Sequence, residues 1–277
     1  MSRVWRCGRF ELALDEPVVM GILNVTPDSF SDGGRFAGYA DAIEEGLAAA
    51  EAGAGIIDVG GESTRPGAAP VPPEEETSRV LPVVEALVAA GRVPVSADTR
   101  HADVAQRCVE AGADILNDVG GFRDPWMREV AAASNAGCIV MHMRGDPGTM
   151  QRAPRYDDVF AEVSAWLIGQ ARDLEEMGVA SDRICLDPGI GFGKTLEHNL
   201  TLLRRLPELA ALGYPVMAGV SRKRFIGELT GVPEPAERLA GSLAAAVWCA
   251  SHGADVVRVH DVPETRQALQ VLAALER

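Results

Sequence analysis

Carboxylates, amides and cations recur in this chain directly after short apolar runs. The plainest case is Asp187-Pro188-Gly189-Ile190-Gly191-Phe192-Gly193-Lys194, which follows Ile184-Cys185-Leu186. A buried parallel strand ends this way when its C-terminal tip meets a ligand: a carboxylate, then glycines that strip side chains from the loop. A carboxylate placed there can accept two donors from a planar amidine. The competing reading is a glycine-rich turn with a helix-capping aspartate. A P-loop is excluded, because G-x-x-x-x-G-K-[ST] needs glycine where this chain has Pro188.

Seven other apolar runs end alike. Their tips carry Asn24, then Glu62-Ser63-Thr64-Arg65, Asp98, Asn117-Asp118, Met141-His142, Ser221-Arg222-Lys223, and Arg258 with His260. On residue type alone Asp118, His142 and Ser221 read as caps or satisfied core groups. The others sort by chemistry. Asp98, Asn117 and Asp187 offer acceptors and an amide to a flat heterocycle with several N–H donors, and Lys223 can donate to a ring carbonyl or nitrogen. Asn24, Thr64, Arg65, Arg258 and His260 are donors that suit a pyrophosphate. Two long polar loops, 26–34 and 61–68, follow the first two runs and have the composition of lids that exclude water.

Positioning such a set requires eight strands whose tips converge. The apolar runs lie at 18–24, 55–60, 93–98, 114–119, 138–143, 183–187, 214–220 and 255–260. Helical stretches follow at 40–52, 74–90, 101–111, 125–135, 157–177, 197–211, 235–251 and 263–276. Pro72-Pro73 before three glutamates marks a helix start, with acids on the positive dipole end. The phrase E-A-G-A-G-I-I-D-V-G-G at 51–61 recurs at 110–121 and more faintly at 251–261, each time a helix end, a glycine and a buried strand. The pattern predicts an α/β fold, a (β/α)8 TIM barrel of one domain over 1–277, preceded by a β-hairpin at 3–14 that turns near Gly8. An open doubly wound sheet is the alternative.

Composition narrows the function. The chain has 277 residues, is 47% hydrophobic and carries a net charge of −14, which argues against a nucleic-acid partner. An anionic substrate must then be met by a few locally placed cations. Five scattered cysteines without a C-x-x-C pair read as reduced core residues of a cytoplasmic protein. The five histidines show no ligand spacing such as H-E-x-x-H, which argues against a protein-held zinc. No run approaches membrane-spanning length, and the N-terminus lacks an apolar signal region, so no membrane partner is expected.

The segments N-V-T-P-D-S-F-S-D-G-G, G-E-S-T-R-P-G, D-P-G-I-G-F-G-K, S-R-K and R-V-H-D, in order between positions 18 and 260, resemble those of the dihydropteroate synthase family, the sulfonamide-inhibited enzymes of folate biosynthesis. The resemblance implies a pterin-binding barrel, usually a homodimer. It implies a transferase that joins 6-hydroxymethyl-7,8-dihydropterin pyrophosphate to p-aminobenzoate and releases pyrophosphate, with Mg²⁺ present. Carried over, it puts the pterin on Asp98, Asn117, Asp187, Lys223 and Arg258, with Met141 packed on it. It puts pyrophosphate at Asn24, Thr64, Arg65, Arg258 and His260, with Asn24 on the metal. The aminobenzoate falls near Phe30, Pro66, Ser221 and Lys223, and the catalytic positions are Asp32, Arg65 and Lys223. Arg224 departs from the family, where a small serine commonly follows S-R-K.

Departure of pyrophosphate from a methylene conjugated to an electron-rich dihydropterin leaves a delocalised cation, which Asp98 and Asp187 favour. The aniline nitrogen then attacks an activated carbon without a strong base. This agrees with the lack of a G-x-S-x-G elbow. Three rivals remain: a methyltetrahydrofolate-dependent corrinoid methyltransferase, a non-catalytic pterin-binding relative, and a Schiff-base aldolase on a Lys223 whose pKa is lowered by Arg222 and Arg224.

Overall fold

The chain opens on the expected hairpin, β1 (Val4–Cys7) and β2 (Phe10–Ala13), with Gly8 at φ 56° in its turn. In this computed structural model, residues 3–25, 34–62, 70–146 and 148–276 are described, residues 34–37 by backbone alone. Strands and helices then alternate: β3 (Val18–Asn24), α1 (Gly34–Glu51), β4 (Ile56–Gly60), α2 (Pro73–Ala90), β5 (Val95–Asp98), α3 (Ala102–Glu110), β6 (Ile115–Asp118), α4 (Pro125–Ala133) and β7 (Gly137–Met141). There follow α5 (Val159–Glu176), β8 (Ile184–Asp187), α6 (Leu196–Arg204), α7 (Leu206–Ala210), β9 (Met217–Gly219), α8 (Arg224–Thr230), α9 (Leu239–Ser251), β10 (Val256–Val259) and α10 (Val262–Leu275).

Strands β3 to β10 run parallel in the order β8-β7-β6-β5-β4-β3-β10-β9. A parallel bridge from Leu186 to Val216 joins the two edges, and the Leu186 amide donates to the Pro215 carbonyl at 2.8 Å. The sheet is therefore a closed barrel, and the open doubly wound alternative falls.

The two-residue period of a strand explains how one barrel holds both an oily interior and a polar tip. Ile56, Ile115, Ile139, Cys185, Met217 and Val256 form an apolar cluster at the N-terminal ends of the strands. Two residues further on, the same strands carry Asp58, Asn117, Met141, Asp187, Gly219 and Arg258. Register keeps the tips level: Asn24 pairs with Gly60, Gly60 with Asp98, and Asp98 with Asn117.

The hairpin closes the apolar end. Trp5 and Cys7 are fully buried in that cluster, and the Trp5 indole donates to the Arg183 carbonyl at 3.0 Å. Arg9 grips Asp114 through two bonds of 2.9 Å, pinning the hairpin beneath β6.

Some helix limits differ from expectation. α1 begins at Gly34, six residues before the periodic pattern starts. The helix read over 197–211 is broken at Arg205, with Pro207 in the first turn of α7. The final stretch from 235 begins with a short 3-10 turn, Pro235–Glu237, before α9. Helix α8 was not anticipated: seven residues are too few for a periodic signal.

The plug gives a stability prediction. Trp5→Ala should lower unfolding free energy by about 3–5 kcal/mol in urea titration, the usual range for removing a buried aromatic, and Trp5→Phe by less. An unchanged midpoint for Trp5→Ala would show that the hairpin is not part of the cooperative core.

Candidate active site

The polar tips do not stand alone; they form one bonded floor. Arg258, from β10, reaches across the barrel to Asp58 of β4 and Asp98 of β5, donating to each at 2.6 Å. Asn117 of β6 donates to the same Asp58 oxygen at 3.0 Å. Asp187 ends β8, where its Oδ1 accepts the Gly189 amide at 2.7 Å. Gly189 is at φ 66°, and a Cβ there would lie 1.9 Å from the His142 carbonyl oxygen, so only glycine fits this turn.

Burial sets the ionisation of the floor. It pushes Asp98 up to about 7, against the pull of Arg258, with Asp58 and Asp118 adding to the rise. Asp187 is also raised by burial, restrained by the Gly189 amide, Lys223 and Lys194. Burial lowers Lys223 to about 8, opposed by Asp187 and reinforced by Arg258. Burial opposes charge on Arg258 too, yet Asp58 and Asp98 hold its pKa above the usual arginine value. The Schiff-base reading of Lys223 needs desolvation or cationic neighbours such as Arg222 and Arg224, and burial supplies the lowering. Those two are occupied elsewhere, Arg222 on Asp261 and Arg224 on Glu228.

A second buried lysine fixes the adjoining loops. Lys194, 3% exposed, has the three protons of its ammonium aimed at His142 Nδ1 (3.0 Å), the His142 carbonyl (3.3 Å) and the Phe192 carbonyl (3.0 Å). Burial and Lys194 together lower His142 to about 3, so the ring is neutral and accepts at Nδ1. His142 is thus the satisfied core group read from its type, and Asp118 the cap, accepting from Gly120 and Phe122 at 2.6 and 2.7 Å. Ser221 meets His260 Nδ1 at 3.1 Å and also opens on the cavity.

A cavity of about 650 Å³ lies at this end of the barrel. Asn24, Asp98, Ser221, Lys223, Arg258 and His260 line it. Asn117, Met141 and Asp187 are buried and do not line it. Phe192 does, with Lys223 Nζ 4.1 Å from its ring centroid. Phe30, Asp32, Thr64, Arg65 and Pro66 lie outside the described residues. Sequence reasoning missed Asp58 and Lys194. Asp58 sits two positions before a strand end, inside I-I-D-V-G, where its inward parity was the available signal. Lys194 was quoted only within the glycine motif.

A closed (β/α)8 barrel with buried carboxylates at its strand tips is the architecture of a pterin-binding enzyme. The chain matches the pterin-binding enzyme family over residues 20–260 and belongs to it. Among curated relatives, the dihydropteroate synthase of Escherichia coli K12 is 51% identical over 263 residues, covering 95% of this chain and 93% of the relative. That of Neisseria meningitidis serogroup C is 50% identical, covering 98% and 97%. The Xanthomonas albilineans dihydropteroate synthase solved with 4-aminobenzoic acid superposes with a TM-score of 0.94 at 48% identity, covering 100% of this chain and 99% of that one. The Burkholderia cenocepacia synthase complexed with 7,8-dihydropteroate gives 0.91 at 44%, covering 99% and 97%. Within the family, the chain therefore falls among the dihydropteroate synthases.

The neutral His142 gives a pH prediction. Its folded pKa lies below its ordinary value, so its contribution to stability is present above pH 6.5 and is withdrawn as pH falls toward about 3. His142→Gln should be less stable than the parent at pH 7.5, and that deficit should shrink as pH is lowered from 6.5 to 5. A constant deficit across urea titrations at those pH values would contradict the assignment.

Proposed function

We propose that this chain is a dihydropteroate synthase, a transferase that condenses 6-hydroxymethyl-7,8-dihydropterin pyrophosphate with p-aminobenzoate to give 7,8-dihydropteroate and pyrophosphate. The observation that carries this reading is the floor itself: Asp98, Asn117, Asp187 and Lys223 converge at one end of the barrel, next to a cavity large enough for both substrates.

In this reading Asp98, Asn117 and Asp187 receive the ring N–H groups, Lys223 donates to the ring carbonyl, and Met141 packs on the heterocycle. Asn24 and His260 face the pyrophosphate, with Thr64 and Arg65 from the second loop. Arg258 is committed to Asp58 and Asp98, which favours a role beneath the pterin over one on the phosphates. Phe30, Pro66, Ser221 and Lys223 receive the aminobenzoate. Donors from a bound pterin would draw Asp98 and Asp187 back to the ionised state, and those carboxylates then favour positive charge on the ring as the C–O bond lengthens.

Mg²⁺ would be held here by Asn24, which lines the cavity and whose amide is a hard oxygen ligand, with phosphate oxygens and water completing the shell as Mg²⁺ prefers. Bound there, the ion would supply charge neutralisation of the leaving anion.

A homodimer and a cytoplasmic setting belong to the same proposal. Trp248 of α9, 46% exposed and stacked on His252, lies on the helix next to α10, whose Val271 and Leu275 are 57% and 80% exposed. These side chains support a contact with a second copy. No helix among the described residues is long and apolar enough to cross a membrane.

Pyrophosphate release should require both substrates. Equal release from the pterin pyrophosphate alone would sink the assignment. Within the proposal, Asp32→Ala should lower kcat by ~10²-fold or more and leave affinity for a pterin without pyrophosphate nearly unchanged, as expected for a contact made in the transition state. Nearly full turnover by Asp32→Asn would remove that carboxylate from the mechanism.

A further inference from the structure

Besides Asp58 Oδ1 and Ser96 Oγ, the buried polar atoms without a well-formed hydrogen bond among the described residues are both carboxylate oxygens of Glu76 and Nε2 of His101, with the Thr99 hydroxyl as the nearest donor to Glu76. Glu76 is fully buried in the first turn of α2, and His101 directly precedes α3. Glu76 Oε2 and His101 Nε2 are 3.9 Å apart, too far for a hydrogen bond. Glu62, just beyond β4, completes the group, and one ligand atom from each of the three lies within 4.8 Å of the others.

We propose that Glu76 and His101, with Glu62 as the third ligand, bind one divalent cation of the zinc class. An unpaired buried carboxylate is costly, and it is resolved by a proton, a water or a cation. One proton shared between Glu76 and His101 would serve two of the three atoms and leave the second Glu76 oxygen to another partner. Two further carboxylates, Glu62 and Asp98, stand near Glu76, offset in part by Arg100. Two carboxylates and an imidazole are the mixed oxygen and nitrogen set that such ions take, with a position left for water.

The geometry needs a contraction. Ligand atoms around a filled tetrahedral site are about 3.3 Å apart at zinc-like bond lengths, so atoms now within 4.8 Å of one another must draw together by up to about 1.5 Å. Glu62 already accepts Arg100 at 2.8 and 3.0 Å and the Val71 amide at 3.2 Å, which leaves one of a carboxylate's roughly four lone-pair sites for a cation. The His101 side chain is 24% exposed, which gives an entry path. The three residues are 14 and 25 positions apart in sequence (76 − 62 and 101 − 76), so no metal-binding spacing motif could have signalled them.

The full chain, stripped with EDTA and dialysed, would be titrated with Zn²⁺ by calorimetry and with Co²⁺ by visible absorbance, without pterin or pyrophosphate. One equivalent should bind, with affinity at least ~10-fold weaker in both His101→Ala and Glu76→Gln, the loss expected of a ligand set. Asn24→Ala should bind as the parent does, which separates this site from any ion at the substrate phosphates. No saturable binding, or equal binding by the parent and His101→Ala, would overturn the proposal in favour of a protonated Glu76 or a bridging water. Were Glu76→Gln not to fold, His101→Ala alone would decide, since its side chain is partly exposed.

Discussion

The geometry of this site depends on one buried guanidinium. Arg258 belongs to β10, yet its partners Asp58 and Asp98 belong to β4 and β5, so the ion triad spans the barrel interior past β3. It can exist only when β3 lies between β10 and β4, as in the closed barrel. Removing one member would strand a buried charge, a loss that typically runs to about 3–5 kcal/mol. The triad sets the height and direction of Asp98, and through the shared Asp58 oxygen it also orients the Asn117 amide. A planar amidine must be met by coplanar acceptors, and this arrangement holds them before any ligand arrives.

Ionisation of the floor follows from the same constraint. Burial raises Asp98 and Asp187 while it lowers Lys223, so each is charged only as far as its neighbours compensate. A ligand that brings N–H donors to the carboxylates and an acceptor to the lysine completes that compensation. The floor is thereby most polar when it is occupied. A bound group with those donors would therefore be held more firmly than one without them.

Much of this was legible in the sequence because two independent periodicities coincide at the tips. Strand parity turned Asp98, Asn117 and Asp187 inward, and glycine-rich turns marked where the strands stop. Asp58 escaped because attention to tips passes over a carboxylate two residues earlier, although its parity with Ile56 placed it inside. Helix α8 and the break at Arg205 escaped because seven- and five-residue helices are too short for a 3.6-residue period to emerge. The contacts of Arg258 could not be read at all: bonds between residues 200 and 160 positions apart depend on the last strand, β10, pairing with β3.

The distribution of cations carries the argument one step further. The sequence contains only two lysines, Lys194 and Lys223, and both stand at this end of the barrel; its other 24 basic side chains (26 − 2) are arginines. Arginine keeps its charge in nearly any setting, whereas a lysine responds to burial. Here burial lowers Lys194 to about 7 and Lys223 to about 8. Their roles nevertheless differ. Lys194 has its protons committed to His142 and Phe192, so it sets loop geometry and is unavailable as a base. Lys223 lies over Phe192 at the cavity, where no carboxylate is within ion-pair distance among the described residues. It remains able to donate to an incoming ring. One lysine holds the loops in place, while the other keeps its ammonium at the cavity.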